Sequence, residues 1–470
     1  MLLHYKNKVA FIYLFVFFID LVNIFITVIA FPQLGQDLNA DISQLAWVSN
    51  IYALGLALIL PVSGWLSGRF GTRKVFVTAL FLFLMATIMC GLSHSILQLI
   101  FWRLLQGIGG GLLIPIGQTM TYREFTAIER AKLTAKILVV ASLAPAISPL
   151  IGGLIVEYLN WRWIFFFNVP LTLMTLTFAI LWLKKEKRYV DPSKKFDIVG
   201  LTLISSSLFL ILFGFFHFKS MDDFTSTLVI LTVAFVGLSL FTVYSLNISQ
   251  PLLNLRIIKK TLFRKAMVIY FFVLGVFSGV NVLNVYFFQS VLGVSASKTG
   301  MIMISYALSL FISISLTGQF FNRCGPRKIY IPGFMLMVLG LLFLSSITSA
   351  KQYSIGVISF FLIGFGSSMC AVSSQIMAFI PIENKDMGDA STLWNLNRQL
   401  CLSVGVGFFI MLLKVKTSQY GVVELDSAQH KEEIITIFQT CFRMAALLVS
   451  IPFILALTLD NQSILNKLHE

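Results

Sequence analysis

Three residues in the first apolar stretch of the chain have types and spacing suited to proton chemistry. Asp20, Asn23 and Thr27 fall at i, i+3 and i+7, which lines them up as a polar stripe on one helical face. They lie within Val9–Phe31, a run long enough to cross a bilayer. A carboxyl at that depth is costly, so it points to proton or ion handling. A second polar pair, Arg103 and Gln106, lies in the run 97–119. A dry site favours a neutral carboxyl, and a nearby cation favours the carboxylate. If movement carries Asp20 between such environments, proton uptake is coupled to conformation. One proton crossing about 100 mV releases roughly 2.3 kcal/mol, enough for a substrate gradient of about fifty-fold. The competing reading is a permanent Asp20–Arg103 ion pair that only holds helices together.

Other polar residues extend this pattern. Ser278, Asn281 and Asn284 form a similar stripe in the run 266–292, and Gln118 ends the run of Arg103. Asn395 and Arg398 lie together in the run 389–413. With Asn23, Thr27 and Gln106, these amides and the Arg398 guanidinium are expected to line a substrate cavity, with packing as the alternative for Asn395 and Arg398. The chain has no nucleophile–base pair and no phosphate-cradling loop, so neither an enzyme nor an ATP-driven pump is expected. Cys90, Cys324, Cys370, Cys401 and Cys441 are lone and widely spaced, which suits neither a metal site nor a disulfide framework. No cofactor or metal is expected.

These residues need membrane helices to position them. The chain has 470 residues, 57% hydrophobic and only 12% charged, with mean hydropathy +0.88. That composition excludes a soluble domain. Apolar runs fall near 9–31, 45–67, 75–93, 97–119, 133–157 and 163–183, then 197–217 and 225–246. Six more lie near 266–292, 298–320, 329–347, 353–380, 389–413 and 439–459, which makes fourteen spans. The net charge of +15 sits in alternate short loops: Lys6/Lys8, Arg69/Arg73/Lys74, Arg123/Arg130/Lys132, Lys184 to Lys195, Arg256 to Lys265 and Arg323/Arg327/Lys328. Such asymmetry orients a chain in a membrane and does not call for nucleic acid. The basic loops and both termini are expected in the cytoplasm. The segment Lys414–Glu433 is expected as one long outer hairpin, with Trp161 and Trp163 at the outer interface.

One loop occurs twice. GWLSGRFGTRK at 64–74 and GQFFNRCGPRK at 318–328 share Gly64/Gly318, Arg69/Arg323, Gly71/Gly325 and Arg73/Arg327. Each copy joins two spans, so a six-helix unit has been duplicated. The expected divisions are residues 1–183 and 266–470 as the two halves, with 184–265 as an inserted helix pair and its basic linkers. Two bodies around a midplane site is the architecture of a carrier. Arg103–Gly111 reads RLLQGIGGG, whose glycines permit close helix packing. Ala144–Gly153 reads APAISPLIGG, where Pro145, Pro149, Gly152 and Gly153 should bend a helix.

Together these stretches resemble the signature motifs of the major facilitator superfamily. The segment 144–153 is similar to its antiporter motif. With WRWIFFFNVP at 161–170, PLLNLR at 251–256, Asn395, Arg398 and Gln399, the chain resembles the fourteen-helix drug:proton antiporter branch. The resemblance covers essentially the whole chain. It implies an all-α integral membrane protein of major-facilitator type, carrying lipophilic drugs or toxic compounds outward across a cell (inner) membrane in exchange for protons. Several positions depart from the pattern. Gly68 and Asn322 stand where the paired loop usually has an acid, and Ser148 stands where the antiporter motif has glycine. Asn23 occupies the place of the branch's first-helix aspartate, and Asp20 lies one turn earlier. The motifs would equally serve a dedicated exporter of one metabolite, siderophore or lipid, or a sensor that binds without flux. They are silent on an efflux adaptor.

Overall fold

The computed structural model describes residues 4–40, 42–184, 196–218, 223–294, 296–420 and 430–469. The basic run 185–195 with Pro192, and Lys219, lie outside them. Regular structure among the described residues is helical. The first group comprises α1 (Tyr5–Ile29), α2 (Phe31–Asp37), α3 (Ile42–Phe70), α4 (Thr72–Gly91), α5 (Ile96–Glu124), α6 (Ala127–Tyr158), α7 (Arg162–Phe166) and α8 (Asn168–Trp182). Then come α9 (Ile198–His217) and α10 (Phe224–Asn247). The last group comprises α11 (Thr261–Tyr286), α12 (Ala296–Cys324), α13 (Pro326–Ser345), α14 (Tyr353–Phe379), α15 (Met387–Gln419), α16 (Lys431–Leu457) and α17 (Asn461–His469).

Among the described residues, thirteen segments are long and apolar enough to cross a membrane. Beside them, α6 has the length of a span at 32 residues. Proline sets two of the breaks. Pro32 has no amide hydrogen for a continuing helix, and the chain re-enters at α2 after Ala30. Pro170 likewise leaves a carbonyl in α7 without its helical partner, which matches the division of the 163–183 span into α7 and α8. The outer hairpin differs from expectation. α15 runs on to Gln419 and α16 begins at Lys431, so both ends of 414–433 are helical, and 421–429 lie outside the described residues.

The duplicated loop makes the same turn twice. Gly71 opens α4 at φ 89° and Gly325 opens α13 at φ 74°, both in the left-handed region that side chains avoid. Helix pairing is duplicated as well. α5 packs on α3 and α4 as α14 packs on α12 and α13, and α1 lies on α6 as α11 lies on α15. Lipid is as apolar as leucine, so such contacts depend on close packing. A Cβ on Gly107 would lie 2.2 Å from the Tyr52 carbonyl, and one on Gly405 would lie 2.0 Å from the Gly275 carbonyl. The halves meet where α6 packs on α12 and α15 packs on α3 and α5. The inserted pair packs on itself, and α9 also touches α3 and α15.

Candidate functional site

The first polar stripe is buried, with Asp20 at 2% exposure and Asn23 and Thr27 at 0%. Asp20 accepts a hydrogen bond from the Tyr52 hydroxyl of α3. Gly110 of α5 makes room for that pair: a Cβ there would lie 2.7 Å from the Tyr52 hydroxyl and 2.8 Å from Asp20 Oδ1. The four glycines of the Arg103–Gly111 stretch thus have separate tasks. Gly107 and Gly111 admit the α3 backbone, Gly109 approaches Phe83 of α4, and Gly110 faces the acid.

Arg103 is wholly buried and does not reach for the membrane surface. Its Nε donates to the Val48 carbonyl at 3.1 Å and its Nη1 to Gln106 Oε1 at 2.7 Å. The guanidinium lies 4.5 Å from the centre of the Tyr52 ring, a cation–π distance. Tyr52 therefore stands between Arg103 and Asp20 in place of a direct ion pair. Gln106 completes the network, donating to Thr87 Oγ1 at 2.7 Å and Asn23 Oδ1 at 3.3 Å. Thr27 turns its hydroxyl back to the Asn23 carbonyl at 2.8 Å.

A second cation comes from the other half. Arg398 of α15 lies 5.2 Å from the centre of the Phe17 ring, one turn before Asp20 on α1. Arg398 and Arg103 are the two cations whose fields reach the Asp20 carboxyl. The remaining residues divide. Gln118 and Asn395 meet each other, with Asn395 Nδ2 donating to Gln118 Oε1 at 2.6 Å across the two halves. Ser278 bonds the Gly275 and Leu402 carbonyls, which faces it toward α15. Asn284 is fully buried with neither amide atom hydrogen-bonded, and Asn23 Nδ2 and Asn281 Oδ1 are also unpartnered.

The motif residues lie at helix ends and crossings. Gly64 faces the start of α15, where a Cβ would lie 3.2 Å from Asp389 Oδ1. Arg73 Nη2 donates to the Ile180 carbonyl at 2.9 Å. Arg69 and Arg323 occupy the last turns of α3 and α12, and Gly318 is buried. The Arg327 amide donates to Asn461 Oδ1 at 3.1 Å. α6 runs through the APAISPLIGG stretch, where the Pro145 and Pro149 side chains lie outside the described residues. Gly152 is buried, and a Cβ on Gly153 would meet open space. Trp161 differs from its expected interfacial place: it is fully buried and donates from Nε1 to Asp37 Oδ2 at 2.9 Å, whereas Trp163 is exposed.

Two features went unnoticed in the sequence. One is Tyr52, the lone tyrosine of the 45–67 run. The other is a lock between the halves at the face carrying the basic loops. Arg130 of α6 donates from Nε to the Tyr122 carbonyl at 2.9 Å, from Nη1 to the Phe379 carbonyl at 3.3 Å and from Nη2 to Asn384 Oδ1 at 3.4 Å. Nearby, Gln375 Nε2 donates to the Tyr122 hydroxyl at 3.0 Å, and the Ser63 and Thr392 hydroxyls are 2.9 Å apart.

Known proteins resemble the chain in sequence and in fold. A profile described as Major Facilitator Superfamily matches residues 13–406. The chain is 30% identical over 387 residues to the Multidrug transporter protein MdtP of Bacillus subtilis, covering 82% of this chain and 70% of that one. It is 25% identical over 457 residues to the Putative multidrug resistance protein MdtD of Escherichia coli, covering 96% and 94%. In fold it is similar to the crystal structure of the human organic anion transporter MFSD10, with TM-score 0.67, 15% identity, and coverage of 96% and 99%.

Proposed function

This chain belongs to the major facilitator superfamily, as a multi-pass membrane transporter and not an enzyme, and on that premise we propose that it exports lipophilic drugs or other toxic compounds in exchange for protons. The observation that carries the reading is Asp20, a fully enclosed acid near the seam of the two halves, with Tyr52 on its oxygen and two arginines in range. Rocking of the halves changes the distance from Asp20 to Arg398, while Arg103 and Tyr52 travel with α1 in the same body. Approach of Arg398 favours the carboxylate, and withdrawal favours the neutral acid. Protonation is thereby tied to the side from which the cavity is reached.

The basic-loop face is assigned to the cytoplasm by its excess of Lys and Arg, which puts both termini inside. The membrane is a cell (inner) membrane. Polar lining from Asn23, Asn281 and Asn284 supports ligand orientation, since buried amide atoms without partners, above all both of Asn284, favour a guest that supplies them. Apolar walls give tolerance of shape.

The test is lipophilic-dye efflux from vesicles under an imposed pH gradient, comparing wild type with Asp20→Asn. Gradient-driven efflux that the substitution abolishes supports antiport through Asp20. Efflux that persists in the variant removes Asp20 from coupling. A wild type that moves no dye replaces the drug reading with a dedicated exporter of a single metabolite, siderophore or lipid.

A further inference from the structure

The inserted helix pair does not close fully against the C-terminal half. A cavity of about 320 Å³ lies between them, and a second of about 280 Å³, walled by α11 and α15, adjoins it and shares Ile258, Arg264, Met267 and Asn397. The larger is walled by Ile204 of α9, Phe241 of α10, and Leu396 and Leu400 of α15. Its rim is basic. Lys259 ends the short 3₁₀ turn Leu255–Lys259, and Arg264 stands in the first turn of α11. Both are exposed, and neither side chain has a hydrogen-bond or ion-pair partner among the described residues. The neighbouring Lys260 differs, since it donates to the Pro381 carbonyl at 2.9 Å and lies 3.5 Å from Asp386.

An apolar slot under two unpaired cations, at the end of the bundle where headgroups lie, matches an amphiphile with an anionic head. We propose that this groove binds an acidic phospholipid of the surrounding bilayer. Its phosphate sits against Lys259 and Arg264, and an acyl chain enters between α10, α11 and α15. The cations supply charge complementarity, as basic clusters at a membrane surface do for acidic headgroups. Free phosphate would meet the cations but leave the apolar walls unused, and a neutral lipid would leave the cations unpaired. α9 also contacts α3, so lipid in the groove joins the inserted pair to the C-terminal half beside the seam.

The experiment is native mass spectrometry of the purified full chain titrated with phosphatidylglycerol or phosphatidylcholine. Wild type should retain phosphatidylglycerol selectively. K259Q/R264Q should lose about thirty-fold in apparent affinity, as expected for two surface cations at about 1 kcal/mol each. Thr242→Trp, which fills the groove from its exposed rim on α10, should lower the same affinity without changing charge. K74Q/K328Q, an exposed pair on the same face, should bind as wild type does. Equal loss in that control pair would reduce the effect to diffuse surface attraction and overturn the site. Equal binding of phosphatidylcholine, or displacement of phosphatidylglycerol by equimolar glycerol 3-phosphate, would overturn it as well. The readout is binding, so it stands apart from any transport result.

Discussion

The Tyr52 hydroxyl donates to the Asp20 carboxyl while the Arg103 guanidinium covers the same tyrosine ring, so one side chain separates an acid from a buried cation. A direct Asp20–Arg103 pair would have the simplest electrostatics, and it would fix the proton state of the acid. On the proposed coupling, the carboxyl, with Tyr52 interposed, keeps a partner yet stays responsive to charge arriving from the other half. Tyr52→Phe keeps the ring beneath Arg103 and deletes only the donor. Leaving a buried polar group without its hydrogen bond costs about 1–3 kcal/mol. Gradient-driven efflux should fall by roughly ten-fold or more, with dye binding by equilibrium quenching unchanged. Wild-type efflux in Y52F would make the tyrosine a packing residue.

Gly110 gives a steric test of the same pair. A Cβ there would sit 2.7 Å from the Tyr52 hydroxyl, the mobile end of a side chain, so G110A should fold and insert with the Tyr52–Asp20 bond displaced. G107A is the contrast, because its Cβ would meet the Tyr52 carbonyl at 2.2 Å, and backbone has nowhere to go. Overpacking of this kind costs about 1–3 kcal/mol. Thermal unfolding in detergent should therefore drop clearly for G107A and little for G110A, while efflux should drop for both. Equal melting of the two variants would mean that α3 and α5 separate easily.

How far the sequence revealed these features depends on the length scale of each. The paired loop was legible because a left-handed turn demands glycine locally, and Gly71 and Gly325 answer to it with φ 89° and 74°. The Asp20–Asn23–Thr27 stripe was legible because helical spacing alone puts the three on one face. Tyr52 was not, since its role depends on where α3 crosses α1, a relation between segments that periodicity does not encode. Gln118 and Asn395 read as cavity amides, and only the packing of α5 against α15 shows them bonded to each other. Arg130 read as one more positive charge in a basic loop. Its three acceptors include Phe379 and Asn384, about half the chain away, and nothing local announces them.

A pH effect follows from the ends of α1 and α6. Lys6 Nζ donates to Glu129 Oε1 at 2.5 Å, and Glu129 also accepts from the Thr126 amide in a capping box. The Lys6 hydrogen bond, with help from Thr126, holds the Glu129 carboxyl below its ordinary range. A group depressed by folding adds stability above its unfolded pKa and loses it as pH falls through the folded value. K6A should therefore melt slightly below wild type at pH 7, with a deficit under about 1 kcal/mol because the pair is solvent-screened. The two melting curves should converge at acid pH, as the pH falls through the lowered folded value of Glu129 and the carboxylate takes up its proton. A deficit that stays constant from pH 7 to pH 3 would assign the effect to the packing of the Lys6 stem.

The lock at the basic-loop face makes a prediction about populations. Arg130 reaches three acceptors from one guanidinium, and two of them, the Phe379 carbonyl and Asn384 Oδ1, belong to the opposite half. Arg130→Lys keeps the charge and loses the fork, so it separates geometry from electrostatics. Hydrogen bonds from a charged donor contribute about 1.5–3 kcal/mol each. Loss of the two inter-half bonds should therefore move the balance toward opening of this face by at least ten-fold. Spin labels at the exposed positions Lys132 and Lys385 would report it as a new population at longer distance in R130K, smaller in wild type. Addition of substrate should redistribute both populations, since a ligand shifts only an equilibrium between states that it binds unequally. If R130K leaves the distance distribution unchanged, Arg130 braces only its own turn through the Tyr122 carbonyl, and closure of this face belongs to Gln118–Asn395 and Ser63–Thr392.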